Sequence, residues 1–227
     1  MALLTFPRDM PAAGAVTQDL KIRRIDVQTA EAGGRLLSVG VGFPLWTLTL
    51  ELAAMDPAEA NVWRAFVDTL RGAARTFYGR DLVRAFPKAH PGGFAGMTRP
   101  DASPFPANGR ALSWSVNATR DELTLRGLPE GLTLSVGDLV GLAWTTSGEA
   151  RRTIGRVVVG DVAFSLQGVA TVAIEPPLPP FVPAGATAYL ASPTLVMRID
   201  PSQTAIGRED QIATEGGTIV AVQDLRA

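Results

Sequence analysis

Gly168-Val-Ala-Thr-Val-Ala-Ile-Glu175 runs directly into Pro176-Pro-Leu-Pro-Pro180. Alternation of this kind marks a half-buried β-strand, and prolines in sheets are confined to strand ends and edges. Upstream, Gly137-Asp-Leu-Val140 opens a run of short alternating strands. Downstream, Ala184-Gly-Ala186 precedes a final one. Residues 117–193 therefore read as a small all-β module with no chemistry written into it. The rest of the chain also lacks catalytic signatures, which favours an architectural role.

The chain has 227 residues, enough for one large or two small domains. Hydrophobic residues make up 46%, which supports a sizeable core. Charged residues make up only 19%, which fits either a large core or a surface partly covered by partner chains. A net charge of −1 argues against nonspecific binding to nucleic acid or acidic membrane. With no cysteine, disulfides, thiolate metal sites and a cysteine nucleophile are excluded. Met1-Ala-Leu-Leu-Thr-Phe-Pro-Arg8 lacks the basic start and long apolar run of a signal peptide. No window approaches the ~18 apolar residues of a membrane helix. Synthesis and folding in the cytoplasm are expected, with no membrane partner.

Residues 1–18, rich in Pro, Ala and Gly, read as an extended arm. Leu20, Ile22, Ile25 and Val27 suggest a first strand, with Arg23–Arg24 marking a bulge. Gly33–Gly34 is a turn, and Arg35 to Gly42 a second strand. Trp46, Leu48, Leu50 and Leu52 alternate with Thr47, Thr49 and Glu51, the cleanest strand in the chain. A helix follows. Asp56 is its N-cap, Pro57 sits at the first helical position, and Glu59 is placed for a capping box. Val62, Trp63, Phe66, Val67 and Leu70 form its apolar stripe, Arg71 suits the C-terminal dipole, and Gly72 is the stop. Arg75 to Phe86 predicts one or two short strands. Pro87–Gly109 holds five prolines and four glycines without periodicity. A loop of that length predicts either a domain crossing or a segment ordered by a neighbour. Strands are then expected near 123–125, 139–144, 153–159, 169–174, 189–190, 195–199 and 219–222, with polar turns over 201–216.

Candidates for chemistry are sparse. His90 is the only histidine, and a catalytic triad would have to use it, but no G-x-S-x-G elbow is present. An exposed loop histidine is the simpler reading. Asp121–Glu122 and Glu209–Asp210 are carboxylate pairs placed in turns, where acids are ordinary. No ligand cluster supports a metal, so no catalytic, cofactor or metal residue is assigned. Gly92–Gly93 and Gly216–Gly217 open no helix and make no phosphate cradle. Arg23–Arg24, Arg71, Arg75, Arg80, Arg84 and Arg151–Arg152 read as solvated faces or interface ion pairs. Trp46 and Trp63 belong in the core. Trp114 and Trp144 belong in core or interface packing, or on a barrel surface where they could stack on a sugar or base.

Taken in order, Trp46-Thr-Leu-Thr-Leu50, Ala60-Asn-Val-Trp63-Arg-Ala-Phe66-Val-Asp-Thr-Leu70-Arg71-Gly72, Gly137-Asp-Leu-Val140, Gly168–Glu175 with Pro176, Pro177 and Leu178, and Val196-Met-Arg-Ile-Asp200 resemble the distal-tail or tail-tip structural proteins of long-tailed (siphovirus-like) bacteriophages. The resemblance spans roughly residues 40–227. It implies a mainly β fold: a tail-tube-like β-sandwich or barrel with one flanking α-helix, plus a second small β-barrel domain on the outside. It also implies a homo-oligomeric ring, a hexamer, at the virion tail tip. The ring would join the tail tube protein to the hub or baseplate and the host-recognition apparatus, and the genome would pass through its lumen without specific binding. The long Pro87–Gly109 loop and the short C-terminus depart from that pattern, and the family supplies no catalytic residue. The expected division is 1–105 with 192–227 as the ring-forming domain and 106–191 as an inserted barrel. The rival function is a carbohydrate-binding β-module recognising the host surface through Trp114 or Trp144. A hydrolase using His90 is the weakest reading.

Overall fold

The computed structural model describes residues 4–12, 15–31, 33–159, 162–163, 167–208 and 213–225. The fold is mainly β, 42% strand and 8% helical, with a single α-helix among the described residues. The strands are β1 (Arg8–Asp9), β2 (Ala15–Arg23), β3 (Asp26–Ala30), β4 (Leu36–Gly40) and β5 (Leu45–Leu52). After helix α1 (Pro57–Leu70) come β6 (Phe77–Arg80), β7 (Ser113–Val116), β8 (Glu122–Arg126), β9 (Thr133–Leu134), β10 (Leu139–Thr146) and β11 (Glu149–Val157). The last are β12 (Val162–Ala163), β13 (Val169–Glu175), β14 (Thr187–Tyr189), β15 (Thr194–Ile199) and β16 (Gly217–Gln223).

Two six-stranded sheets carry the molecule. The first has the order β1-β6-β15-β16-β5-β2, antiparallel except where β1 runs parallel to β6. Its strands come from both ends of the chain. The second, β14-β10-β11-β13-β8-β7, is antiparallel and drawn wholly from residues 113–189. Its first and last strands meet. The Ala111 N–H donates to the Ala188 carbonyl at 3.0 Å, and the Trp114 indole N–H donates to the Ala186 carbonyl at 2.6 Å. These bonds curl the sheet toward closure, as an antiparallel sheet must to lose its open edges.

Helix α1 starts where its capping signals place it. Asp56 is extended (φ −69°, ψ 158°), and its carboxylate accepts from the Glu59 N–H at 2.9 Å. The helix stops at Leu70 because Arg71 turns left-handed at φ 50°, one residue before the expected glycine stop. Ala60, Trp63, Phe66 and Leu70 are buried. Val62, assigned to the stripe from the sequence, is exposed. Successive helical residues turn by about 100°, so the neighbour of Trp63 faces solvent. Phe66 stands edge-on to Trp63 at 5.9 Å and to Phe77 of β6 at 5.3 Å, which joins the helix to the sheet.

Two expectations are corrected, and two open alternatives are then resolved. The N-terminal arm is tied down: β1 pairs with β6, and Met10 is buried. The irregularity in β2 falls between Ala15 and Thr17, while Arg23 simply ends the strand. Between Arg75 and Phe86 only β6 forms. The Pro87–Gly109 segment, which leads from the first sheet to the second, packs on the chain's own core, so its order requires no neighbouring chain. Phe94 is 2% exposed and stands edge-on to Phe86 at 5.7 Å and to Phe105 at 5.2 Å. The Arg99 guanidinium donates to the carbonyls of Gly127 and Arg110, both at 2.8 Å. Apolar anchors spaced too irregularly to show a period hold the segment.

The two sheets are locked by a buried polar junction. The Trp46 indole N–H donates to the Ile154 carbonyl at 3.0 Å. The Gln223 carboxamide accepts from the Trp46 backbone N–H at 3.2 Å and donates to the Thr153 hydroxyl at 2.9 Å. Arg156 lies over the Trp46 ring at 4.8 Å and donates to the Leu20 carbonyl at 2.6 Å. Leu139 and Ile154 of the second sheet belong to the first sheet's core.

A candidate assembly surface

Beyond Arg23 and before Leu45, β3 and β4 leave the first sheet as a two-stranded ribbon, and every residue in both is exposed. The register pairs Val27 with Val39 and Thr29 with Leu37, and the Val41 N–H donates to the Ile25 carbonyl at 2.7 Å. Directly paired residues share a face, and faces alternate along a strand. One face of the ribbon therefore carries Ile25, Val27, Thr29, Leu37, Val39 and Val41. The other carries Asp26, Gln28, Ala30, Leu36, Ser38 and Gly40. The apolar face has no cover: its five aliphatic side chains are 49–57% exposed. A two-stranded ribbon is marginal by itself in water, and a contiguous bare apolar face marks an interaction site.

The root of the ribbon is fixed. Arg24 pairs with Glu175 at 2.6 Å, and Phe43 stands edge-on to Phe181 at 6.3 Å. Between the root and the Pro176–Pro180 turn lies a groove of about 440 Å³, whose lining mixes apolar residues such as Ile25, Phe43 and Leu178 with the polar Arg24, Asp26 and Arg120. The turn is held from beneath by Arg120, whose guanidinium donates to the carbonyls of Leu178 at 2.7 Å and Pro179 at 2.8 Å.

The residues singled out for chemistry do not converge. His90 is half-buried rather than free. Its Nε2 accepts from the Thr133 N–H at 3.0 Å, and its ring centre is 6.1 Å from that of Phe94. Asp138, inside the Gly137–Val140 stretch, is 3% exposed. Its two oxygens accept from the N–H groups of Lys88 at 2.9 Å and Ser135 at 2.7 Å, tying the long segment to a strand turn. Asp121 is consumed by its own turn, where hydrogen bonds from Thr119 and Asn117 hold its carboxyl below the usual range. Glu122 begins β8 and is exposed. Glu209–Asp210 lie outside the described residues. No group of three or more metal-ligating side chains occurs among the described residues, and no helix there is long and apolar enough to cross a membrane.

The arginines also serve separate local roles. Arg75 stacks on Phe6 at 4.5 Å, and Arg151 pairs with Glu149 at 3.0 Å. Arg152 lies over Tyr78 at 3.8 Å and donates to the Thr194 hydroxyl at 2.7 Å, between the sheets. Trp46 and Trp63 are fully buried. Trp114 is half-buried and committed to the seam of the second sheet. Trp144, also half-buried, lines a shallow groove of about 540 Å³ with Arg151, Arg152, Pro183 and Thr187.

The ribbon is the surface that sequence reasoning misses. Its alternation reads as ordinary strand patterning. The usable signal is the flanking pair of breaks, Arg23–Arg24 and Gly42–Phe43–Pro44, which separate this hairpin from strands that pair into the sheet. Compared with known families and curated proteins, the chain matches no family model and no curated sequence.

Proposed function

We propose that this chain is a structural subunit of a long-tailed bacteriophage virion, a distal tail protein. It would form a ring that joins the tail tube to the hub and host-recognition apparatus. The observation that carries the reading is the ribbon β3–β4, whose apolar face is left bare by the chain itself. A subunit of a closed ring must offer such a surface to its neighbour. The sequence resemblance to tail-tip proteins points the same way.

The mechanism is mechanical. The Trp46–Ile154–Gln223–Thr153 junction makes the two sheets a stiff unit, as a platform under load requires. On this reading the protein carries no reaction, works at the tail tip after synthesis in the host cytoplasm, and lets the genome pass through the ring's lumen. Negative-stain microscopy of the purified chain tests it. Closed rings of six subunits are expected, and particles that remain single subunits at every concentration would reject the reading.

A second reading, a carbohydrate-binding module for the host surface, draws on Trp144 and its groove. It requires glycan affinity that Trp144→Ala removes without changing assembly. Trp114 suits it less, because its indole N–H is already bonded to the Ala186 carbonyl across the seam of the second sheet.

A further inference from the structure

A groove of about 430 Å³ opens between the N-terminal segment, the start of β6, the tip of the β10–β11 hairpin and β15. Its volume is that of a small-ligand site, and such sites favour boundaries between packed units. Arg75, Arg151 and Arg198 all line it. Only two carboxylates line it with them, and each is already matched. Arg151 pairs with Glu149 at 3.0 Å, and Arg198 pairs with Asp224 at 2.8 Å. Arg75 has no acidic partner among the described residues, so three cations face two anions and one positive charge is left over. The Arg75 guanidinium is held in place all the same. It lies over the Phe6 ring at 4.5 Å, and its Nη1 donates to the Thr69 carbonyl at 3.0 Å. Its Nε–Nη2 edge has no partner among the described residues. That edge offers two parallel N–H donors, the geometry that a carboxylate accepts side-on. The Nε of Arg151 is also buried without an acceptor.

We propose that this groove binds a carboxylate, seated on the Nε–Nη2 edge of Arg75. One negative charge balances the lining. A guanidinium already fixed by a ring and a carbonyl loses little freedom when it binds. Arg198 stays committed to its own partners, because it donates to the Ala73 carbonyl as well as to Asp224. Phe6, Pro7 and Ala74 also line the groove and give it an apolar side, which suits a carboxylate carried on a short organic body. Either a free organic acid or an acidic residue of a partner protein supplies that chemistry. Every residue of the site belongs to one copy of the chain, so binding does not depend on ring formation.

The test titrates sodium acetate into the full-length chain at constant ionic strength, with sodium chloride making up the difference. Saturation transfer to the acetate methyl protons reads binding, and it works for a single subunit and for a ring alike. Saturable binding on the order of millimolar is expected for so small a ligand. Arg75→Gln should weaken it by about tenfold or more. Arg75→Lys keeps the charge but not the two-pronged edge, so it should also weaken binding by about tenfold. That variant carries the test if Arg75→Gln does not fold. Arg110→Gln, at an exposed arginine outside the groove, should bind as wild type does. The peptide N-acetyl-Ala-Asp-Ala-amide separates the two sources. Tighter binding than acetate, lost in Arg75→Lys, assigns the carboxylate to a partner protein; equal or weaker binding assigns it to a free acid. No saturable acetate binding, or binding unchanged in both Arg75 variants, overturns the site. Phosphate that displaces acetate at lower concentration overturns the assignment to a single negative charge. None of these results bears on whether rings form.

Discussion

The indole N–H of Trp46 donates to the carbonyl oxygen of Ile154 at 3.0 Å, so a fully buried side chain of one sheet is bonded to the backbone of the other. Gln223 completes the junction by bridging the Trp46 N–H to the Thr153 hydroxyl. Buried polar groups are costly unless every partner is present. Gln223→Leu leaves an N–H and a hydroxyl without these partners and should destabilise the fold by about 2–3 kcal/mol in denaturant melts. Trp46→Phe should cost about 1–3 kcal/mol for the same reason. Equal stability of Gln223→Leu and wild type would show that the junction is not a source of rigidity.

The faces of helix α1 are separable by mutation. Trp63→Ala removes a fully buried ring and should cost about 3–5 kcal/mol. Asp56→Ala loses the N-cap bond and should cost about 1 kcal/mol. Val62→Ala, on the exposed side, should stay within about 0.5 kcal/mol of wild type. Equilibrium unfolding of the three variants checks the ranking, and a large loss at Val62 would misplace the buried face.

The long segment after Pro87 should behave as part of the core. Phe94→Ala should cost about 3–5 kcal/mol, and Asp138→Ala about 1–3 kcal/mol for the two backbone donors it abandons. His90→Ala releases one N–H, that of Thr133, and should cost about 1 kcal/mol while leaving assembly intact. Limited proteolysis gives a second readout. Phe94→Ala should open cleavage within 87–109, and an equally resistant variant would mean that the aromatic anchors do not hold the segment.

Acid should act on three turns. Ser103 bonds to Asp101, Thr119 and Asn117 bond to Asp121, and Ser202 and Gln203 bond to Asp200; these contacts hold all three carboxyls below their ordinary value of 3.8. A carboxyl depressed in the folded state adds stability that is whole above its unfolded value and is lost as the pH falls through the folded one. The melting midpoint should therefore hold steady down to about pH 5 and decline below about pH 4. Replacing all three aspartates by asparagine should flatten that decline. An unchanged acid slope in the triple variant would assign the loss to other carboxylates.

Local physics makes much of the fold legible in the order of residues alone. The N-cap at Asp56, the proline after it and the 3.6-residue spacing of Trp63, Phe66 and Leu70 define α1 nearly to the residue. Period-two alternation locates β5, β8, β10, β13, β15 and β16. These signals are short-range, so a single sequence carries them. Phe94 and Phe105 show the limit. They are core residues in a stretch with no period, because the core that they join is built from strands further along the chain.

The sequence by itself determined a mainly β chain with one helix, since those follow from residue type and spacing. Tertiary structure alone decided which apolar faces are covered. Ile25, Val27, Val39 and Val41 alternate much as Leu48 and Leu50 do, yet the first group faces solvent and the second is fully buried. Alternation fixes that a strand has an apolar face. Whether the chain itself covers that face depends on contacts between distant segments, and at the ribbon it does not.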